Sequence, residues 1–70
     1  MEIFCKNLRK YRLAKGWTQT EVARRICVDR STYSKYESGY IDPALETMVL
    51  LCRALDTSPN ALFGWEPPSE

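Results

Sequence analysis

Hydrogen-bonding side chains recur at helical spacing in one short segment of the 70-residue chain. They stand at positions i, i+1, i+4 and i+5, which share one face of a helix, and they are Arg30, Ser31, Ser34 and Lys35. Arg30 and Lys35 can donate to the O6 and N7 atoms of guanine, Arg30 with two parallel hydrogen bonds. The two serines are short donors or acceptors with broad tolerance. The segment therefore predicts a polar helical face that can read base edges, with Arg30 and Lys35 as its strongest members.

Thr32 lies inside the same segment, and its role has two readings. Its methyl group could contact a thymine, or its side chain could face the backbone. The neighbouring Tyr33 and Tyr36 fall on the opposite side of the predicted helix, so we expect them in the core rather than on a ligand. Thr32 is therefore kept among the base-contact candidates with both readings open.

Two short helices must position this polar face. The first follows a capping box, Thr18-Gln19-Thr20-Glu21, which satisfies backbone N–H groups at a helix start, and it is predicted to run to about Ile26. The second has Asp29 as its cap and is predicted to end at Ser38-Gly39. Only a few residues separate the two helices, so the sequence predicts a closely packed pair.

A fourth helix is predicted from the dipeptide Asp42-Pro43. Aspartate is a favourable cap, and proline is tolerated at the first helical position because the N–H that it lacks has no partner there. The core-facing stripe of this helix is predicted to be Leu45, Met48, Leu51, Cys52 and Leu55. Additional apolar residues widen the apolar arc beyond what one core face requires.

The remaining helices lie at the two ends of the chain. A first amphipathic helix is predicted over Ile3 to Lys15, and a short fifth helix follows Ser58-Pro59 and stops at Gly64. The sequence thus predicts an all-α, compact five-helix domain over residues 1–65. Residues 66–70 are predicted to be a short disordered tail.

The formal net charge of +1 hides a polarised distribution. Residues 1–35 carry nine basic and three acidic side chains, a net charge of +6, whereas residues 36–70 carry one basic and six acidic side chains, a net charge of −5. A positive potential over the first three helices is the pattern expected where phosphates approach. Taken singly, each basic side chain is better explained as part of a solvated helix face.

Other function classes find little support in the sequence. There is no histidine, no glycine-rich phosphate loop and no pair of carboxylates at catalytic spacing, so we do not expect an enzyme. Cys5, Cys27 and Cys52 are too widely spaced for a metal site, and neither a metal nor a cofactor is expected. We predict that they are small hydrophobes in a reduced core, and a redox sensor is the less favoured reading. No apolar run approaches the roughly 18 to 20 residues of a membrane span, so a cytoplasmic protein is expected, with no membrane as partner.

The stretch from Gln19 to Glu37 resembles the helix-turn-helix of the Xre/Cro family of lambda-repressor-like regulators. The resemblance extends over most of the chain, through Leu8, Arg12, Gly16, Ser38-Gly39, Pro43 and the sequences LETMVLLCRAL and SPNALFG. It implies a lambda-repressor-like DNA-binding domain in which the second and third helices form the helix-turn-helix. Double-stranded DNA is the implied partner, with the third helix in its major groove.

The resemblance also implies roles for residues outside the third helix. In the family, the residue that matches Gln19 bonds a phosphate and braces the recognition helix. The resulting phosphate-contact candidates, in decreasing order of preference, are Gln19, Thr18, Ser38 and Tyr40. Arg12 and Glu37 match a pair that forms a largely buried salt bridge in the family, which would tie the first helix to the end of the recognition helix.

One position departs from the family pattern. The family usually has glycine at the turn between the two helices, because the backbone there tends to adopt a positive φ, whereas this chain has Cys27. A residue other than glycine in that conformation costs about 1 kcal/mol. The sequence therefore predicts a turn that is either slightly strained or differently shaped.

Two functions are compatible with this resemblance. The first is a sequence-specific transcriptional regulator, predicted to be a repressor, that binds a near-palindromic operator as a homodimer, because one short helix reads too few bases. Its candidate dimer-interface residues are the surplus apolar side chains Leu50, Trp65, Val49, Leu62 and Phe63. Core filling is the alternative for all five, and it is the preferred reading for Leu62 and Phe63. The second function is an antitoxin-type protein-interaction module with autoregulatory DNA binding, since one fold can serve both uses.

Overall fold

The computed structural model describes residues 2–65, with side chains from Ile3 onward. This part of the chain folds into five helices: α1 (Glu2–Ala14), α2 (Gln19–Arg25), α3 (Arg30–Ser38), α4 (Leu45–Leu55) and α5 (Pro59–Phe63). No strand occurs in residues 2–65, and the predicted all-α five-helix architecture is confirmed. None of these helices is long and apolar enough to span a bilayer. The predicted tail, residues 66–70, lies outside the described residues.

The starts of α2 and α5 follow the predicted caps. Thr18 Oγ1 accepts from the Glu21 amide at 3.2 Å, and Glu21 Oε1 accepts from the Thr18 amide at 2.8 Å, so the capping box is complete. Ser58 Oγ accepts from the Ala61 amide at 3.2 Å, with Pro59 as the first residue of α5. Both short helices therefore begin where a side chain satisfies backbone N–H groups that have no partner within the helix.

The start of α4 lies further along the chain than predicted. Ala44 precedes the helix with an extended backbone (φ −66°, ψ 165°), and no side chain caps it. The prediction that Asp42 caps this helix with Pro43 in its first position is therefore wrong, because the helix begins two residues later than predicted. Leu45 consequently lies in the first turn and is 78% exposed, so its assignment to the core stripe is also wrong. The core-facing side of α4 begins at Met48, which is half-buried.

All five helices contribute to one core. Its buried members are Phe4, Leu8, Val22, Ala23, Ile26, Tyr33, Tyr36, Leu51, Cys52, Leu55 and Leu62. In this core α1 packs against α3 and α5, and α2 packs against α3 and α4. Leu62 has no exposed surface, so its candidacy for a dimer interface is wrong and the core reading holds. Phe63 remains partly exposed, with its ring centroid 5.4 Å from that of Phe4.

The three cysteines have different environments. Cys52 is buried, Cys5 is half-buried and Cys27 is exposed, so the prediction of core cysteines is wrong at Cys27. Cys27 is exposed because it forms the turn between α2 and α3, where its φ of 63° lies in the left-handed region that favours glycine. The Val28 amide donates to the Ala23 carbonyl at 3.0 Å and closes this turn. Of the two predicted outcomes, the chain thus shows the strained glycine-type turn.

Candidate nucleic-acid interface

The outer face of α3 carries the basic side chains proposed to read bases. Arg30, Ser31 and Lys35 are exposed, whereas Tyr33 and Tyr36 point into the core with their rings edge to face, 6.3 Å apart. The tyrosines attach α3 to the rest of the domain through one face only. On the opposite side of the helix, Arg30, Ser31 and Lys35 remain exposed to solvent.

Thr32 and Ser34 are less exposed than the other base-contact candidates. Thr32 Oγ1 donates to Asp29 Oδ1 at 2.5 Å, and this hydrogen bond is the main cause that lowers the pKa of Asp29. The hydroxyl of Thr32 is thus engaged at the helix start, while a contact of its methyl group with thymine stays a prediction. Ser34 lies toward α1 and α2, where it lines a depression with residues of both helices.

One carboxylate joins α1, α2 and α3. Arg12 Nε donates to Glu37 Oε2 at 2.6 Å and Arg12 Nη2 donates to Oε1 at 3.2 Å. Gln19 Nε2 donates to Oε1 at 3.2 Å, and Tyr33 Oη donates to Oε2 at 2.5 Å. These four donors match the four lone-pair positions of a carboxylate. We call Arg12, Gln19, Tyr33 and Glu37 the carboxylate network.

The ion pair at the centre of this network is largely removed from water. The side chains of Arg12 and Glu37 are 11% and 6% exposed, and Arg12 Nη1 also donates to the Trp17 carbonyl at 2.9 Å. This arrangement corresponds to the buried pair that the family resemblance implied. Because Arg12 belongs to α1 and Glu37 to the last turn of α3, the pair fixes how these two helices lie against each other.

Burial and hydrogen bonding act on the network in opposite directions. Burial raises the pKa of Glu37, but the hydrogen bonds from Arg12, Tyr33 and Gln19 and the charge of Arg12 together outweigh it, so the pKa lies below its ordinary value. The hydrogen bond to Glu37 raises the pKa of Arg12, and burial raises the pKa of Tyr33. At neutral pH the network thus consists of a carboxylate, a guanidinium and a neutral phenol.

The phosphate-contact candidates differ in how many donors they leave free. Gln19 uses one amide hydrogen for the carboxylate network, and its second N–H has no partner within residues 3–65. The Thr18 hydroxyl is an acceptor in the capping box, and Ser38 Oγ donates to the Lys35 carbonyl at 3.2 Å. Tyr40 is 77% exposed, and Lys35 Nζ lies 5.8 Å from its ring centroid. Among the four phosphate-contact candidates, Gln19 is therefore the one that the carboxylate network fixes in place, and Tyr40 is the most exposed.

A depression of about 260 Å³ opens beside the carboxylate network, between α1, α2 and α3. Its lining residues are Arg9, Arg12, Gln19, Ser34, Glu37 and Ser38. Sequence reasoning missed Arg9 here, although its i, i+3 spacing from Arg12 indicates that both residues share one side of α1. It also missed the hydroxyl of Tyr33, for which the i, i+4 spacing from Glu37 was the available signal.

Exposed apolar residues lie on α4 and around the end of α5, and others lie on α1 and between α3 and α4. The exposed residues of these two regions are Leu45, Val49, Leu50, Phe63 and Trp65. Leu45 is the most exposed of them, at 78%, whereas Leu50 and Phe63 are exposed to about the same smaller extent. Leu45, Val49 and Leu50 follow the spacing i, i+4 and i+5, so they share one side of α4. The structure thus adds Leu45 to the predicted interface candidates on this helix.

The closely packed helices α2 and α3, with a tight turn at Cys27 and a solvent-facing polar side on the second helix, define a helix-turn-helix. The helix-turn-helix family matches residues 8–62, and the chain belongs to this family.

Relatives with assigned names are regulators. The HTH-type transcriptional regulator AnsR of Bacillus subtilis is 37% identical over 59 residues, which cover 84% of this chain and 51% of AnsR. The transcriptional repressor RstR of a cryptic CTXphi phage in Vibrio cholerae is 36% identical over 59 residues, which cover 84% of this chain and 53% of RstR. The chain spans about half the length of the curated relatives it matches.

Two solved structures have the same fold. The restriction-modification controller protein C.AhdI of Aeromonas hydrophila is 35% identical, with a TM-score of 0.82 over 89% of this chain and 94% of C.AhdI. The hypothetical transcription factor NHTF from Neisseria is 31% identical, with a TM-score of 0.81 over 89% of this chain and 71% of NHTF. These likenesses confirm the predicted lambda-repressor-like fold.

Proposed function

We propose that the chain is the DNA-binding domain of a sequence-specific transcriptional regulator, a repressor, that inserts α3 into the major groove of double-stranded DNA. The observation that carries this proposal is the exposed polar side of α3, on which Arg30, Ser31 and Lys35 face solvent while its two tyrosines hold the helix from behind. A helix with such a face fits the major groove, and its side chains meet base edges there.

The distribution of charge supports the same orientation toward DNA. Residues 2–38, which form α1, α2 and α3, carry nine basic and four acidic side chains, a net charge of +5. Gln19, with a free N–H beside the carboxylate network, is placed in this proposal on a backbone phosphate. Phosphate contacts of this kind set the register of α3, whereas Arg30 and Lys35 supply the discrimination between sequences.

The names of the relatives support regulation as the biological role. RstR is named a transcriptional repressor, C.AhdI a restriction-modification controller protein and AnsR a transcriptional regulator. Because the chain spans about half of the curated relatives, these roles come to it as part of the proposal.

A homodimer on a near-palindromic operator completes the proposed function. Leu45, Val49 and Leu50 give α4 an apolar outer side, which a monomer would leave in water. Two copies that bring their α3 helices about 34 Å apart would read two half-sites, one turn of DNA from each other. Such a dimer discriminates between sequences at two half-sites. A single nine-residue α3 reads only one half-site and therefore has less specificity.

Selection of bound sites from random duplex DNA tests this function. The expected result is an enriched, near-palindromic consensus with half-sites about one helical turn apart, and α3 variants should then relax it locally. Arg30→Ala or Lys35→Ala should reduce discrimination at particular base pairs by about 1 to 3 kcal/mol, while Gln19→Ala should weaken binding to all sequences alike. Failure to enrich any consensus at any salt concentration would contradict the proposal and favour the antitoxin-type interaction module.

A further inference from the structure

The carboxylate of Asp29 does not serve as the predicted cap of α3, although the residue stands directly before this helix. Its backbone carbonyl accepts from the Tyr33 amide at 3.1 Å, but its side chain accepts from no backbone N–H of the helix. One carboxylate oxygen, Oδ1, instead accepts from Thr32 Oγ1 at 2.5 Å. The other oxygen, Oδ2, accepts no hydrogen bond within residues 3–65. The start of α3 therefore presents a carboxylate oxygen that the fold does not use.

This carboxylate is ionised and open to solvent. Asp29 is exposed, and the hydrogen bond from Thr32 is the main cause that holds its pKa below the ordinary value. In the described part of the chain no ion pair joins it to a cation. An ionised carboxylate accepts hydrogen bonds and donates none. A group that binds to Asp29 therefore has to supply a hydrogen-bond donor.

The chemistry of the duplex decides which group such a carboxylate can bind. Phosphate oxygens and the acceptor atoms of guanine and thymine repel it, which leaves the amino groups of cytosine and adenine in the major groove. Adenine presents the N7 acceptor beside its N6 amino group, whereas cytosine presents only the N4 amino group. A side chain that only accepts hydrogen bonds therefore favours cytosine over the other three bases.

The position of Asp29 suits a contact with a base. It immediately precedes Arg30, and the first residues of a recognition helix are those that point at base edges in this docking mode. Arg30 carries donors for guanine, so the two neighbouring side chains match the two bases of a G·C pair. The hydroxyl of Thr32 restricts rotation of the carboxylate, which reduces the conformational entropy lost on binding.

We propose that Asp29 reads a cytosine in each half-site by accepting a hydrogen bond from its N4 amino group, with Thr32 as the residue that positions the carboxylate. The inference rests on the proposed function and deepens it, because it assigns base recognition to a residue that precedes α3. Arg30 and Lys35 supply attraction to guanine. Asp29 adds repulsion, since its negative charge disfavours every base that presents acceptors at this position.

Selection of bound sites with wild type, Asp29→Asn and Asp29→Ala tests this assignment. Wild type should enrich cytosine at one position of each half-site. Asp29→Asn should change that position to adenine, because an amide accepts from N6 and donates to N7, and Asp29→Ala should leave it without preference. The other positions of the consensus should stay as in wild type. All three proteins should melt at nearly the same temperature, because this carboxylate is exposed and caps no helix.

A carboxylate that is merely solvated at the start of α3 predicts a different result. Removing its charge would then raise the affinity for selected and scrambled duplexes alike, because a repulsion with the phosphates is lost, and the consensus would not change. That outcome would overturn the reading of cytosine, while the enriched consensus would still support the regulator. Failure of the proposed function is distinguishable, because wild type would then enrich no consensus at any salt concentration and the reading of cytosine would fail with it.

A cytosine analogue and two variants of Thr32 locate the contact. Replacing the selected cytosine by a pyrimidinone base, which lacks the N4 amino group, should weaken binding of wild type about ten- to hundredfold and that of Asp29→Ala much less. An equal loss in both proteins would overturn the contact between Asp29 and this amino group. Thr32→Val removes the hydroxyl and should lower the preference for cytosine, whereas Thr32→Ser keeps the hydroxyl and should retain it. Equal preferences in the two variants would contradict the positioning role of Thr32.

Discussion

The part of the molecule formed by α1, α2 and α3 differs from the outer side of α4 in what it buries and what it exposes. Between the first three helices, the ion pair of Arg12 and Glu37 is buried, and the hydrogen bonds that Glu37 accepts from Arg12 and Gln19 define how these helices meet. On α4, by contrast, Leu45, Val49 and Leu50 are apolar and lie in solvent. In the first region the buried polar groups have hydrogen-bond partners, and these bonds fix the geometry between the helices. The apolar side of α4 favours contact with another apolar surface but does not fix the orientation of that contact. The comparison suggests that orientation of α3 and association of copies depend on separate parts of the chain.

The largest expected effect comes from breaking the buried ion pair. Arg12→Ala leaves the Glu37 carboxylate buried without its counter-ion, and this should lower the free energy of unfolding by about 3 to 5 kcal/mol. Urea denaturation followed by circular dichroism measures the change, with Lys10→Ala as the exposed control, expected within about 0.5 kcal/mol of wild type. A melting temperature of Arg12→Ala close to that of wild type would contradict the reading of this pair as structurally important.

A smaller loss is expected when one neutral donor is taken from the same carboxylate. Tyr33→Phe keeps the ring in the core but removes the hydroxyl that donates to Glu37, so an acceptor position remains buried and empty. The cost should be about 1 to 3 kcal/mol. Tyr36→Phe is the matched control, because its ring is also buried on α3 but its hydroxyl belongs to no hydrogen bond within residues 3–65. Equal losses in both variants would show that the Tyr33 hydroxyl has no special role.

The network also predicts a dependence of stability on pH. The pKa of Glu37 is lower in the folded chain than in the unfolded one, so its contribution is complete above about pH 4.5 and is lost as the pH falls through the folded value. This one group contributes a slope of at most about 1.4 kcal/mol per pH unit. Urea denaturation midpoints should therefore be measured between pH 3 and pH 7. As the pH is lowered, the midpoint should decrease more per pH unit in wild type than in Glu37→Gln. The same slope in both proteins would assign acid sensitivity to other carboxylates.

Substitutions on the outer side of α4 should have the opposite effect to those in the carboxylate network. They should weaken association of two copies and leave the stability of the monomer nearly unchanged. Leu45→Ser changes a side chain that is 78% exposed, so the stability of the monomer should stay within about 0.5 kcal/mol. The dimer should lose about 1 kcal/mol, roughly a fivefold rise in its dissociation constant. Sedimentation at several concentrations measures this constant. An unchanged dissociation constant would remove α4 from the proposed interface.

The smallest effect is expected at the turn between α2 and α3. Cys27→Gly replaces a residue in the left-handed region with the one that tolerates it best, and stability should rise by up to about 1 kcal/mol. Cys27→Ala is the control, since it removes the thiol and keeps the unfavourable conformation. A gain in both variants would trace the effect to the thiol and not to the backbone.

The fold was largely predictable from local chemistry. The capping box at Thr18 and the Ser58-Pro59 start are specified by neighbours in sequence, and both were confirmed. Asp42-Pro43 was misleading because the same dipeptide also suits an extended approach to a helix, and its misreading placed Leu45 in the core. Local patterns thus locate helices well, but they do not decide how far the chain extends before it turns.

The candidate site was predictable only in part. The polar positions of α3 follow from helical spacing, and the pair of Arg12 and Glu37 came from the family resemblance. The place of Arg9 in the lining of the depression could not be predicted, because a depression forms only when three helices pack and no local pattern specifies its lining. The hydroxyl of Tyr33 was missed for a related reason, since a pattern that marks a ring as buried does not say where its polar end lies.

The position of Glu37 at the junction of three helices also has a thermodynamic consequence. A recognition helix already held by α1 and α2 need not be ordered when it meets the duplex, so little conformational entropy is lost on association. The heat-capacity change of binding should then be small and proportional to the surface in contact, without the larger negative change that accompanies coupled folding. Calorimetry of the complex at several temperatures would thus report the rigidity that this single carboxylate confers.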